Sequence, residues 1–116
     1  MRFFLSIFLL LGSVSLSYSQ DLEGEKREEF VKEQEAYLEK LSLSENQKRK
    51  YFARVRNFQK NQQNILNSRL SKTDKQKKLK LAEKMRDDEM KEILSDAQFK
   101  KFLQRQKEIK KKYGDF

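Results

Sequence analysis

The side chains that most often do covalent chemistry are missing from this 116-residue chain, which contains no histidine and no cysteine. Thiolate nucleophiles, imidazole bases and soft metal ligands are therefore excluded. So are disulfides and a lipidated N-terminal cysteine. The hydroxyls of Ser44, Thr73 and Ser95 are better explained as helix caps than as nucleophiles. The carboxylates Asp87, Asp88, Glu89 and Glu92 could gather a hard cation, but they lie among Lys84, Arg86 and Lys91. Exposed ion pairs three and four residues apart on a helix account for them better. No glycine-rich phosphate loop is present. None of the usual catalytic sets can be assembled, so the expectation is a protein that binds rather than reacts, with no metal and no cofactor.

The hydroxyls point to the elements that position everything else. Leu43-Ser44-Glu45-Asn46-Gln47 and Leu94-Ser95-Asp96-Ala97-Gln98 repeat the pattern Leu-Ser-x-x-Gln. This is the spacing of a capping box, in which the Ser oxygen accepts a first-turn backbone N–H and the Gln side chain reaches back to the Ser N–H. Glu45 and Asp96 fall at the first helical position, where the helix dipole favours an acid. Thr73-Asp74-Lys75-Gln76 reads as a third cap without the leucine. Leu43, Ser44, Gln47, Thr73, Gln76, Leu94, Ser95 and Gln98 are thus expected to be structural.

The doubled motif resembles the Leu-Thr-x-x-Gln motif of the Spy/CpxP family of small, all-helical periplasmic proteins. Serine replaces threonine in both copies and keeps the capping hydroxyl. The likeness extends to a secretory leader, four helices and a basic mature chain. It implies a periplasmic ATP-independent chaperone or an inhibitor of a membrane stress-sensor kinase. The missing histidine argues against the metal-responsive role also found in that family.

Residues 1–19 read as a cleaved signal peptide. Arg2 supplies the positive start, Phe3 to Leu11 is apolar except for Ser6, and Ser17 and Ser19 have the spacing of a cleavage site before Gln20. The apolar run is short of the ~20 residues that span a bilayer, so no stable membrane insertion is expected after cleavage, and the location is periplasmic or secreted. Loss of the leader removes Arg2 from a formal charge of +9 and leaves +8 on residues 20–116.

Those residues read as one all-α domain. They contain no proline, only Gly24 and Gly114, and no strand signals. Four amphipathic stretches show helical periodicity. The first runs over about 23–41, with Phe30, Gln34, Tyr37, Leu38 and Leu41 on a face. The second runs from 45 to about 70, with Tyr51, Val55, Phe58, Gln62, Ile65 and Leu66. The third covers 74–93, with Leu79, Ala82, Arg86, Met90 and Ile93. The fourth covers 96 to about 112, with Phe99, Phe102, Leu103, Gln106, Ile109 and Tyr113. Short links favour antiparallel neighbours, in a hairpin-like or cradle-like arrangement. The Leu94 junction is tight enough that the last two helices could form one bent rod. The polar residues within the stripes suggest partly buried faces rather than a polar network. Residues 20–23 and 113–116 are expected to fray. The thin supply of apolar side chains favours a homodimer or an open layer.

Charge is unevenly distributed. Residues 20–41 hold eight acids and four bases, whereas residues 44–73 hold one acid and eight bases. Such a run can merely solvate a helix, with the first helix folding back to neutralise it. Alternatively, the second helix offers a basic, aromatic surface that attracts acidic protein segments over a Debye length of ~8–10 Å. The residues expected to bind are Phe52, Arg54, Arg56, Phe58, Arg69 and Lys72, an assignment made from amphipathicity and charge alone. The partners would be unfolded or acidic protein clients, or the periplasmic domain of a sensor kinase as in CpxP. A Skp-like holdase for outer-membrane proteins shares the leader and the basic helices but not the β-rich body. No specific nucleic acid is expected. Leu81 points away from the stripe of the third helix and would be exposed in an isolated fold, which is normal for a single leucine. Paired with Met85 near the edge of the same helix, it could instead serve a dimer contact or a client.

Overall fold

Four helices fill nearly all of residues 24–114, the part of the chain described by the computed structural model. They are α1 (Glu25–Leu41), α2 (Glu45–Leu66), α3 (Lys72–Ile93) and α4 (Asp96–Tyr113). The described residues are therefore all-α, with four helices. The expected leader and its cleavage point before Gln20 lie outside the described residues.

Each helix boundary has a local cause. α1 stops where Ser42 takes a left-handed conformation (φ 52°) and its N–H returns to the Glu39 carbonyl at 3.2 Å. Ser44 and Ser95 close full capping boxes with Gln47 and Gln98. α2 ends four residues earlier than its sequence pattern suggests. The Ser68 hydroxyl bonds back to the Ile65 carbonyl at 2.6 Å, and the Lys75 ammonium donates to the Leu66 carbonyl at 2.8 Å. These side chains satisfy carbonyls that the helix end would otherwise strand.

The third cap is corrected. Ser71, not Thr73, is the N-cap of α3, and its oxygen accepts from the Asp74 N–H at 3.2 Å. The pattern Ser71-x-x-Asp74 competes with Thr73-x-x-Gln76 and starts the helix two residues sooner. Thr73 then lies inside the first turn and Gln76 is exposed. α3 and α4 are separate helices, divided at Leu94, whose extended backbone (ψ 151°) breaks the rod.

Packing follows from the stripes. α2 lies along α3 as an extensive hairpin, while α4 makes smaller contacts with α1 and α3. A central cluster draws on all four helices: Tyr37, Leu41, Tyr51, Val55, Met90 and Phe102 are buried there with Leu94. Two smaller clusters extend from it. Phe30 and Ile109 meet Tyr113 at the far end of α1 and α4, and Ile65, Leu79 and Ala82 meet Phe58 and Leu66 along α2 and α3. The result is a flattened molecule of 40 × 35 × 24 Å. Tyr113 does not fray: its ring meets Phe30 edge-on at 5.0 Å and its hydroxyl bonds Glu33 at 3.0 Å.

The stripes also contain a polar network, contrary to expectation. Gln34 is only 2% exposed, and its side-chain oxygen accepts from Arg105 Nε at 2.7 Å. Arg105, 5% exposed, also reaches Glu33 at 3.3 Å through Nη1. Burying a guanidinium requires such partners, and Gln34 supplies one across the α1/α4 contact. Arg105, rather than the expected Gln106, takes the inward position between Phe102 and Ile109.

Candidate functional site

The two repeated motifs come together in space. Each glutamine caps its own helix and then reaches the other unit. Gln47 Oε1 accepts from the Ser44 N–H at 3.0 Å and from Gln98 Nε2 at 3.3 Å. Gln47 Nε2 donates to Gln98 Oε1 at 2.8 Å and to the Ile93 carbonyl, at the end of α3, at 3.2 Å. Gln98 mirrors this arrangement: Oε1 accepts from the Ser95 N–H at 2.9 Å, and Nε2 donates to the Leu41 carbonyl, at the end of α1, at 3.0 Å. Both amides use their full donor and acceptor capacity. Leu43 and Leu94 pack into the central cluster beside this clasp. The three motif side chains of each copy are thereby occupied, Ser in capping its own helix and Leu and Gln in holding α1–α2 to α3–α4, and no reactive group is left over.

Beneath the clasp, the hydroxyls of Tyr37 and Tyr51 share a 3.1 Å hydrogen bond. Burial pushes the Tyr51 phenol up to about 12 and raises Tyr37 further, helped by Tyr51 itself. Both stay neutral and structural.

The residues expected to bind lie on α2, in the turn after it and at the first position of α3, and they divide into two kinds. Phe52 and Phe58 are half-buried, Phe52 against the central cluster and Phe58 under the Arg86 guanidinium at 4.5 Å. Arg54, Arg56, Arg69 and Lys72 are exposed. Arg54 is tied to Glu89 of α3 at 2.9 Å. Arg56, Lys60, Arg69 and Lys72 form no ion pair among the described residues. Arg49, Phe52, Arg56 and Lys60 follow one another at three- and four-residue spacing along one side of α2, which puts an aromatic edge amid cations.

No acid of α1 forms an ion pair with this surface among the described residues. Glu29 and Glu33 pair with Lys112 of α4, and Glu33 also pairs with Arg105. Burial alone would raise the Glu33 carboxyl, but hydrogen bonds from Lys112, Tyr113 and Arg105 outweigh it and hold the group below its ordinary value. The acidic helix therefore neutralises α4 in part and leaves α2 basic. Leu81 and Met85 stand out on α3 at 59% and 56% exposure.

Sequence reasoning missed Arg105 and its partners. The available signal was the three- and four-residue spacing from Phe102 to Ile109, which admits position 105 as readily as 106. Among the described residues, no group of acids is placed to hold a metal ion, and no helix is long and apolar enough to cross a membrane. No protein-family model, curated protein or solved structure matches this chain.

Proposed function

We propose that this protein is a periplasmic or secreted, ATP-independent chaperone or envelope-stress protein that holds unfolded or acidic protein segments on a basic helical surface. The observation that carries this reading is the pairing of the acidic helix. Glu29 and Glu33 of α1 pair with α4, no α1 carboxylate pairs with α2 among the described residues, and Arg56, Lys60, Arg69 and Lys72 are left without an ion pair on the α2 side. Phe52 borders that side as a half-exposed aromatic edge, whereas Phe58 is turned toward α3, under the Arg86 guanidinium. Long-range attraction would recruit acidic clients, and short-range apolar contact would retain them. The chemistry requires no nucleotide.

The same reading includes a homodimer through α3. Leu81 and Met85 form an exposed apolar pair, preceded by Lys77 and Lys78 and followed by Asp88. An antiparallel second copy would set those lysines against Asp88.

The test is light scattering from an aggregating client, with and without a stoichiometric amount of the protein, at low and high salt and without ATP. Suppression across unrelated clients that weakens with salt is the expected result. Suppression of none overturns the reading, and tight binding to one sensor domain alone would replace it with a dedicated regulator.

A further inference from the structure

We propose that the groove between α1 and α4 is a binding site for an extended acidic peptide carrying an apolar side chain between two carboxylates. The inference rests on the holding function proposed above and gives it a location distinct from α2.

The groove runs along the α1/α4 contact, where apolar packing at two ends gives way between them to the Gln34–Arg105 and Glu33–Arg105 bonds. One end is Phe30 with Ile109 and Tyr113; the other is Leu41 with Phe102 in the central cluster. Between the ends lies a space of about 920 Å³ lined by Ala36, Tyr37 and Gln104, and by charged side chains whose stems cover the walls. That volume lies at the upper end of the ~300–1,000 Å³ typical of ligand clefts. Ala36 provides the room, since it is the one small side chain on the lining.

Charge selects the occupant. Lys40, Lys100, Lys101, Lys111, Lys112 and Arg105 line the groove against only Glu33 and Glu108. Glu33 is already engaged by Arg105, Lys112 and Tyr113. Lys112 is matched by Glu29 and Glu33. Lys40, Lys100, Lys101 and Lys111 form no ion pair among the described residues; the Lys101 ammonium donates to the Lys40 carbonyl at 3.3 Å. Beneath them, Arg105 Nη2 is buried with no acceptor. A guanidinium held out of water with both N–H groups of one nitrogen unmet keeps hydrogen-bonding capacity that its pairing with Glu33 does not use.

Length and surface chemistry favour a peptide over a small anion. Lys100 and Lys111 are three turns apart on one face of α4, ~16 Å at 1.5 Å per residue. An extended chain covers that span with ~5 residues. A free phosphate would engage one end and leave Ala36 and the lysine stems wet. A segment with a carboxylate at each end and a Leu or Phe between them uses both rims and the floor.

The probe is a fluorescein-labelled unstructured peptide with two aspartates spaced to reach both rims and one phenylalanine between them, followed by fluorescence anisotropy. Lys100→Glu/Lys111→Glu changes the groove; Arg56→Glu/Lys60→Glu makes the same change of charge on α2; Ala36→Trp fills the floor from an exposed position. Circular dichroism confirms that each variant is folded. We expect at least ~10-fold weaker binding, a loss of about 1.4 kcal/mol, for the groove pair and for Ala36→Trp, and a smaller effect for the α2 pair. Equal losses for the two charge pairs would reduce the effect to net charge and overturn the site. So would unchanged binding by Ala36→Trp, or equal affinity for the peptide with asparagines in place of aspartates. Client aggregation assayed on the same proteins separates the two ideas. Peptide binding unchanged by Lys100→Glu/Lys111→Glu, with client suppression intact, overturns the groove and leaves the holding function standing, whereas no suppression by the unaltered protein overturns the holding function itself.

Discussion

At the scale of single residues, the identity of Gln47 and Gln98 matters more than a capping role would require. A capping box takes glutamate as readily as glutamine, yet only an amide has N–H groups to give to the Leu41 and Ile93 carbonyls. Gln98→Glu keeps the oxygen that accepts from Ser95 and loses both donors. It should therefore cost ~1–3 kcal/mol, more than the ~1 kcal/mol expected for the cap change Ser95→Ala, by urea denaturation. A double-mutant cycle between Gln47 and Gln98 should show a coupling of ~0.5–3 kcal/mol, and zero coupling would mean that the two amides act only as separate caps. Glu33 is the second residue with a measurable consequence. Its carboxyl is held below its ordinary value of 4.5 in the fold, where it faces Lys112, Tyr113 and Arg105. A depressed carboxylate contributes stability that is complete above the unfolded-state value and is lost as pH falls through the folded one. Thermal stability should therefore decline as pH drops below 4.5, and Glu33→Gln should flatten that decline while lowering stability at neutral pH.

At the scale of elements, helix existence and inward faces were legible, and the errors fell where two local signals competed. Phe30, Tyr37, Leu41, Tyr51, Val55, Leu79, Met90, Phe102 and Ile109 are buried as their periodicity required. Ser44 and Ser95 start helices because each stands alone as a cap. Ser71 and Thr73 offered two overlapping caps, and the choice depended on tertiary contacts that no local pattern contains. Starting at Lys72 puts Lys75 within reach of the Leu66 carbonyl. The end of α2 was unreadable for the same reason, since Ser68 and Lys75 replace the glycine that usually marks a helix end. Arg105 was invisible because a buried cation is read as a surface residue until its partner, Gln34, is found 71 positions away. The resulting register of α3 can be tested directly. Leu79→Ala removes a side chain packed with Ile65 and Ala82 and should cost ~2–5 kcal/mol. Leu81→Ala removes one that is 59% exposed and should change stability by under ~0.5 kcal/mol. Equal costs would mean that α3 is rotated or that Leu81 is covered by another copy.

At the scale of the whole molecule, that second possibility follows from how charge is distributed along α3. The helix is basic before Leu81, at Lys75, Lys77, Lys78 and Lys80, and carries Asp87, Asp88, Glu89 and Glu92 after Met85. A two-fold axis crossing α3 at the level of Glu83 sets Leu81 against Met85 of a second copy and Lys78 against Asp88. The same patch is then self-complementary in both apolar contact and charge, as a two-fold interface must be. A parallel pairing would place like charges together and is disfavoured. Sedimentation velocity can distinguish these arrangements through a charge swap, because neither Lys78 nor Asp88 forms an ion pair within the chain among the described residues. Lys78→Glu alone should shift the protein towards monomer, and so should Asp88→Lys. The double variant Lys78→Glu/Asp88→Lys should restore the dimer, since each altered residue again faces its opposite across the axis. Leu81→Glu should prevent association in every background without lowering thermal stability of the monomer. Monomer at every concentration for the unaltered protein, or a double variant no better than either single one, would reject this axis. The basic α2 side and the α1/α4 groove would then have to act within one copy.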